Sequence, residues 1–91
     1  MYQAGTQTGK VRFSIQAPAG AQRVLLAGDF NGWKPAPMKK GKGGMYVADA
    51  SVPAKSFQYK YVVDGQWITD PDHANWAMNT FGTANSIGRL Q

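Results

Sequence analysis

The chain contains no cysteine and no glutamate, and only one histidine among its 91 residues. Without cysteine there is neither a disulfide framework nor a zinc–thiolate site. With glutamate absent, five aspartates supply every side-chain carboxyl group. No pair among them reads as the acid and base of a glycoside-cleaving centre, which needs two carboxylates across a cleft. The lone His73 stands in Asp70-Pro71-Asp72-His73, where proline favours a turn. That order fits neither a nucleophilic triad nor a metal-ligand spacing. Long apolar runs are missing too. Met1 to Lys10 is small and polar, so neither a secretion signal nor a membrane anchor is read there. The expectation is a noncatalytic cytoplasmic protein that uses no metal or cofactor and has no membrane partner.

What is present is a modest basic excess, ten Lys and Arg against five Asp, for a net charge of +5. The positive residues are scattered. Their one cluster, Lys39, Lys40 and Lys42, lies in the glycine-rich run Met38 to Gly44, without interleaved aromatics. It reads as a solvated loop, not as a phosphate cradle or a single-stranded nucleic-acid platform. A chain of this length makes one domain with a small hydrophobic core. Residues 1–9 read as a flexible lead-in and residues 10–91 as the folded domain.

Apolar residues recur at every second position, and no window sustains a helical period. Val11, Phe13 and Ile15 alternate with Arg12, Ser14 and Gln16; Val24, Leu26, Gly28 and Phe30 share one parity; Tyr46, Ala48, Ala50 and Val52 oppose Val47, Asp49 and Ser51. Breakers fall between these runs at Pro18-Ala19-Gly20, Asn31-Gly32, Pro35-Ala36-Pro37, Gly41 to Gly44, Pro53-Ala54 and Asp70-Pro71. Short strands at this spacing predict an all-β sandwich. Its final strand is expected near Asn85 to Leu90, interrupted by Gly88.

The most specific local signal is Tyr59 to Asp70. Asp64-Gly65 suits a two-residue turn whose central residues need positive φ. Counting outward pairs Val63 with Gln66, Val62 with Trp67, Tyr61 with Ile68 and Lys60 with Thr69. Side chains alternate between faces, so Tyr59, Tyr61, Val63 and Ile68 share the core side. Lys60, Val62, Trp67 and Thr69 share the other, which suits a flat polar ligand. If Asn31-Gly32 made a similar hairpin, Trp33 would share the core-facing side of Phe30, but Pro35 and Pro37 spoil the parity just beyond it. Trp76 reads as a packed loop aromatic or as a third stacking platform.

Taken together, Val24 to Trp33 with its Gly28-Asp29-Phe30-Asn31-Gly32-Trp33 motif, Phe57 to Pro71, and Phe81-Gly82-Thr83-Ala84-Asn85-Ser86-Ile87 resemble one family. That family is the family 48 carbohydrate-binding module, found in the β subunit of AMP-activated protein kinase and at the N-terminus of glycogen branching and debranching enzymes. The resemblance implies an immunoglobulin-like sandwich of the early-set type that binds α-1,4-glucans such as glycogen, amylose, maltooligosaccharides or β-cyclodextrin. It places Trp33 and Trp67 on sugar rings, Lys60, Thr83 and Asn85 at sugar hydroxyls, and Phe81 against the sugar or in the core. The same fold also serves as a docking domain of a glucan-active enzyme or kinase complex. Exposure of Trp33 and Trp67 separates sugar binding from pure protein docking.

Overall fold

Alternating apolar and polar side chains build two antiparallel sheets whose apolar sides face one another. The computed structural model describes residues 1–4, 9–53, 55–72, 75–79 and 82–89. Its strands are β1 (Tyr2–Ala4), β2 (Lys10–Gln16), β3 (Val24–Gly28), β4 (Ala36–Pro37), β5 (Lys39–Lys40), β6 (Met45–Ser51), β7 (Ser56–Val63), β8 (Gln66–Ile68), β9 (Trp76–Met78) and β10 (Ala84–Arg89). One sheet runs β1-β2-β6-β5 and the other β4-β3-β7-β10-β9, with β8 also on β7. β3 takes one edge of β7, while β10 and β8 follow each other along the opposite edge, at residues 56–59 and 61–63. The result is the all-β sandwich that the sequence pattern predicts, of the immunoglobulin-like type that the family resemblance implies.

The core lies between β2 and β7. Val11, Phe13, Ile15, Phe57, Tyr59 and Tyr61 are at most 3% exposed. Phe13 contacts Phe57 and Tyr59 edge-on across the sheets and stacks on Phe30, the geometries that aromatic rings prefer. These contacts explain Gly88. A Cβ there would sit 2.3 Å from the Phe57 ring, so only glycine lets β10 pass so close.

Asp64 (φ 48) and Gly65 (φ 87) both lie in the left-handed region, as the two-residue turn requires. Val63, Val62 and Tyr61 pair with Gln66, Trp67 and Ile68 as expected. The pairing stops there, and Lys60 does not face Thr69 in the ladder. Beyond Ile68 the chain turns away from β7 so that Asp70 N–H donates to Ser86 Oγ at 2.7 Å on β10.

Three further departures have simple causes. Of residues 1–9, read as a flexible lead-in, Tyr2–Ala4 pairs with Val11–Phe13, because the Tyr2 ring packs edge-on against Phe57 and Tyr59. The Pro35–Pro37 segment still supplies β4, a two-residue edge strand on Leu25 and Leu26, where proline is tolerated. Lys39 and Lys40 form β5 on the opposite sheet. Buried Met38, bonded through its N–H to Val24 O at 2.9 Å, is the point where the chain crosses between sheets. The three lysines of that cluster nonetheless remain exposed.

Asp70 is a fully buried carboxylate. It accepts the Tyr59 hydroxyl at 2.7 Å and the Tyr61 hydroxyl at 3.5 Å, and the Met1 ammonium lies against it. Burial first, then the hydrogen bond and negative charge of Asp70, holds the Tyr59 hydroxyl above the ordinary tyrosine range; burial and the Asp70 charge do the same for Tyr61.

A hydroxyl whose pKa is raised by folding retains its proton where the unfolded chain would lose it. Stability is therefore full below the unfolded value of about 10 and falls as pH rises above it. In an alkaline absorbance titration, Tyr59 and Tyr61 are expected to ionise only together with unfolding. Tyr61→Ala should open a core cavity and lower the unfolding free energy by roughly 3–5 kcal/mol, measured by urea denaturation.

Candidate functional site

The outward side of the six-stranded sheet carries the residues that do not enter the core. From β7 these are Gln58, Lys60 and Val62. Register adds Leu25 and Ala27 from β3, Trp67 from β8, and Asn85 and Ile87 from β10. Trp67 stands at one end of this face, 47% exposed, next to Val62 on the neighbouring strand.

Trp33 follows β3 and lies beside Asp29, which bonds the Gln58 backbone of β7. Asn31-Gly32 is not a hairpin turn, as the proline-broken parity allows. Asp29–Asn31 form a single turn of 3₁₀ helix after β3, followed by Gly32 (φ 66) and Trp33 (φ 62). The Asn31 carboxamide closes this turn, accepting from Gly28 N–H at 3.0 Å and donating to Leu26 O at 3.2 Å. A left-handed tryptophan costs about 1–2 kcal/mol and persists only where its surroundings hold it. Here Trp33 N–H donates to Gly28 O at 3.0 Å and its indole Nε1 to Asp29 Oδ1 at 3.2 Å. Phe30 packs against the core, whereas the partly buried Trp33 indole turns to Asp29.

From Asp29, beside Trp33, a polar network runs to Lys60 on β7. Asp29 Oδ2 accepts Gln58 N–H at 2.8 Å, and Gln58 Oε1 accepts Asn85 Nδ2 at 3.0 Å. Asn79 Nδ2 donates to Asn85 Oδ1 at 3.1 Å and to Thr83 Oγ1 at 2.7 Å. Lys60 Nζ reaches the same hydroxyl at 3.3 Å. Asn79 also accepts Thr83 N–H, at 3.2 Å, which fixes the bend between β9 and β10. Lys60, Thr83 and Asn85, chosen from sequence, are therefore brought together.

Two of those residues are less open than the sequence suggested. Lys60 is 8% and Asn85 6% exposed, because both sit mid-sheet between neighbouring strands. Phe81 lies outside the described residues. Sequence reasoning missed Asp29, Gln58 and Asn79, the residues that tie the others together. Asn79, four positions before Thr83, carried the local signal of an amide that bonds its own backbone a few residues on. Gln58 and Asp29 were visible only as members of longer motifs. Trp76, read as packed or as a platform, is 57% exposed on edge strand β9.

Four residues of β7 separate the Trp67 row from the Gln58 row, or about 13 Å at the usual strand rise. A face with indoles and rigid donors and acceptors can hold a ligand with apolar faces and polar edges.

Residues 11–90 match the family described as the glycogen recognition site of AMP-activated protein kinase. The chain is 37% identical over 68 residues to 5′-AMP-activated protein kinase subunit beta-1 of Sus scrofa; the match covers 75% of this chain and 54% of that protein's length. It thus spans about half of that relative. Among solved structures, a putative alpha amylase from Salmonella typhimurium superposes with a TM-score of 0.71 at 22% identity, covering 96% of this chain and 14% of the amylase. A pullulanase complexed with maltotetraose, from Anoxybacillus, gives 0.62 at 20% identity, covering 96% of this chain and 13% of the pullulanase. Both likenesses concern the fold.

The geometry separates two kinds of residue at this face. Trp67→Ala is expected to change the unfolding free energy by less than about 1 kcal/mol, since half its surface already meets water. Asp29→Ala removes the acceptor of both Gln58 N–H and the Trp33 indole, and should cost about 1–3 kcal/mol. Urea denaturation of the two variants measures the contrast.

Proposed function

The chain belongs to the glycogen-recognition family of AMP-activated protein kinase, and from that premise we propose that the outward face of its six-stranded sheet is a noncatalytic binding surface for α-1,4-linked glucans. The observation that supports this reading is the polar network Asp29–Gln58–Asn85–Asn79–Thr83–Lys60, which begins beside Trp33 and ends on β7 two residues from the row that Val62 shares with Trp67.

The chemistry follows from the sugar. A pyranose presents an apolar surface of C–H groups that lies on an indole, while its hydroxyls need partners around the rim. Trp33 and Trp67 supply the indoles. The Lys60 ammonium has three donors and gives one to Thr83, which leaves donors for sugar hydroxyls. Thr83, Asn85 and Gln58 offer further donors and acceptors. Because most of the network is paired before the ligand arrives, little side-chain freedom is lost on binding. Water competes for each hydroxyl bond, so affinity for short oligosaccharides is expected between micromolar and millimolar, on the order of −4 to −8 kcal/mol. A preformed curved platform favours a closed ring such as β-cyclodextrin over a linear chain of the same units.

Titration calorimetry with maltoheptaose and β-cyclodextrin tests this reading. Both should bind, the ring at least as tightly, and half-molar sodium chloride should leave both affinities within a factor of about two, unlike a phosphate ligand. Trp67→Ala should abolish most of the affinity, a loss above about tenfold. Tighter binding of cellohexaose than of either α-glucan would overturn the substrate assignment.

A further inference from the structure

Beyond Trp67 the outward face continues. Val62 pairs on one side with Trp67 and on the other with Leu25, so two strand spacings, about 10 Å, carry the surface from the indole to Leu25. There it opens into a groove of about 550 Å³ lined by Gln22, Arg23, Leu25, Val62, Asp64 and Gly65, among others.

Half-exposed Leu25 beside Val62 gives the groove an apolar floor. Its rim is polar and held in place. Asp64 Oδ1 accepts the N–H groups of Gln22 at 3.0 Å and Arg23 at 2.8 Å, and Asp64 N–H donates to Arg23 O at 2.9 Å. The hairpin turn thereby fastens the Gln22-Arg23 segment beside itself. The Arg23 guanidinium and Asp64 Oδ2 have no hydrogen bond or ion pair among the described residues, and so remain a donor and an acceptor facing solvent.

Trp33, Trp67 and this groove do not lie on one line. Trp33 sits by Asp29, on the β3 side of β7; Trp67 sits on the β8 side; the groove returns to the β3 side past Val62. The three positions thus alternate across β7, a layout that suits a curved glucan better than a straight one. We propose that the groove is an extension subsite, taking the glucose units that follow those on Trp67, with Leu25 and Val62 beneath the ring and Arg23, Gln22 and Asp64 at its hydroxyls. This rests on the proposed glucan surface, and it makes the module select for chain length. On this reading maltotriose is taken by the tryptophan surface alone, and maltoheptaose is long enough to reach the groove as well.

Amide and indole correlation spectra, recorded during titration with each sugar, test the subsite on the unaltered protein. Maltotriose should move the Trp67 indole signal and leave the Arg23, Leu25 and Gly65 amides in place, whereas maltoheptaose should move all four. Arg23→Ala should weaken maltoheptaose about three- to tenfold and maltotriose by less than twofold. If maltoheptaose shifts the Trp67 indole while the Arg23, Leu25 and Gly65 signals stay still, or if Arg23→Ala leaves both affinities unchanged, the extension subsite is wrong and the tryptophan surface stands. An immobile Trp67 signal with both sugars would overturn the surface itself.

Discussion

The arrangement depends on the two-residue turn at Asp64-Gly65. Its paired positive φ values fix the register of β7 against β8, and a slip of one residue would exchange the two faces of the hairpin. In the observed register Tyr61 is fully buried with Tyr59 and Phe57 while Trp67 stands half in water. One turn thus decides both what fills the core and what faces solvent. The same aspartate ties down Gln22 and Arg23, so the turn also shapes the ground beside the tryptophan.

A second device works around Trp33. Trp33 is held in a backbone conformation that tryptophan seldom adopts, and Asp29 links its indole to the backbone of β7. From there a chain of amides and a hydroxyl reaches Lys60. These groups are mostly paired with one another before any ligand is present, and such a satisfied network is stiff. Sugar recognition suits that condition, since each hydroxyl bond exchanges with water for a small net gain and leaves little to offset the ordering of loose side chains.

Much of the fold was legible because it rests on period-two alternation. β2, β6 and β7 read directly from their apolar parity, and the Asp64-Gly65 pair declared the hairpin. What was hidden was decided by contacts distant in sequence. Tyr2 joins the sheet because Phe57 and Tyr59 accept its ring. Met38 plugs the crossing between sheets inside a stretch that composition marks as loop. Lys60 was assigned to the correct face by register, yet its burial depends on β3 and β10 on either side, which local parity does not reveal. Asp29 and Gln58 escaped notice because each bonds to a partner brought near only by folding, whereas the tryptophans announce themselves by size and motif.

The central claim is that the Trp33 and Trp67 indoles lie beneath the sugar rings. Intermolecular nuclear Overhauser contacts between maltoheptaose and the protein test it most directly. The account predicts contacts from the sugar C–H protons to the indole protons of both Trp33 and Trp67. Contacts confined to the opposite sheet, near the Arg12–Asp49 pair, would contradict it.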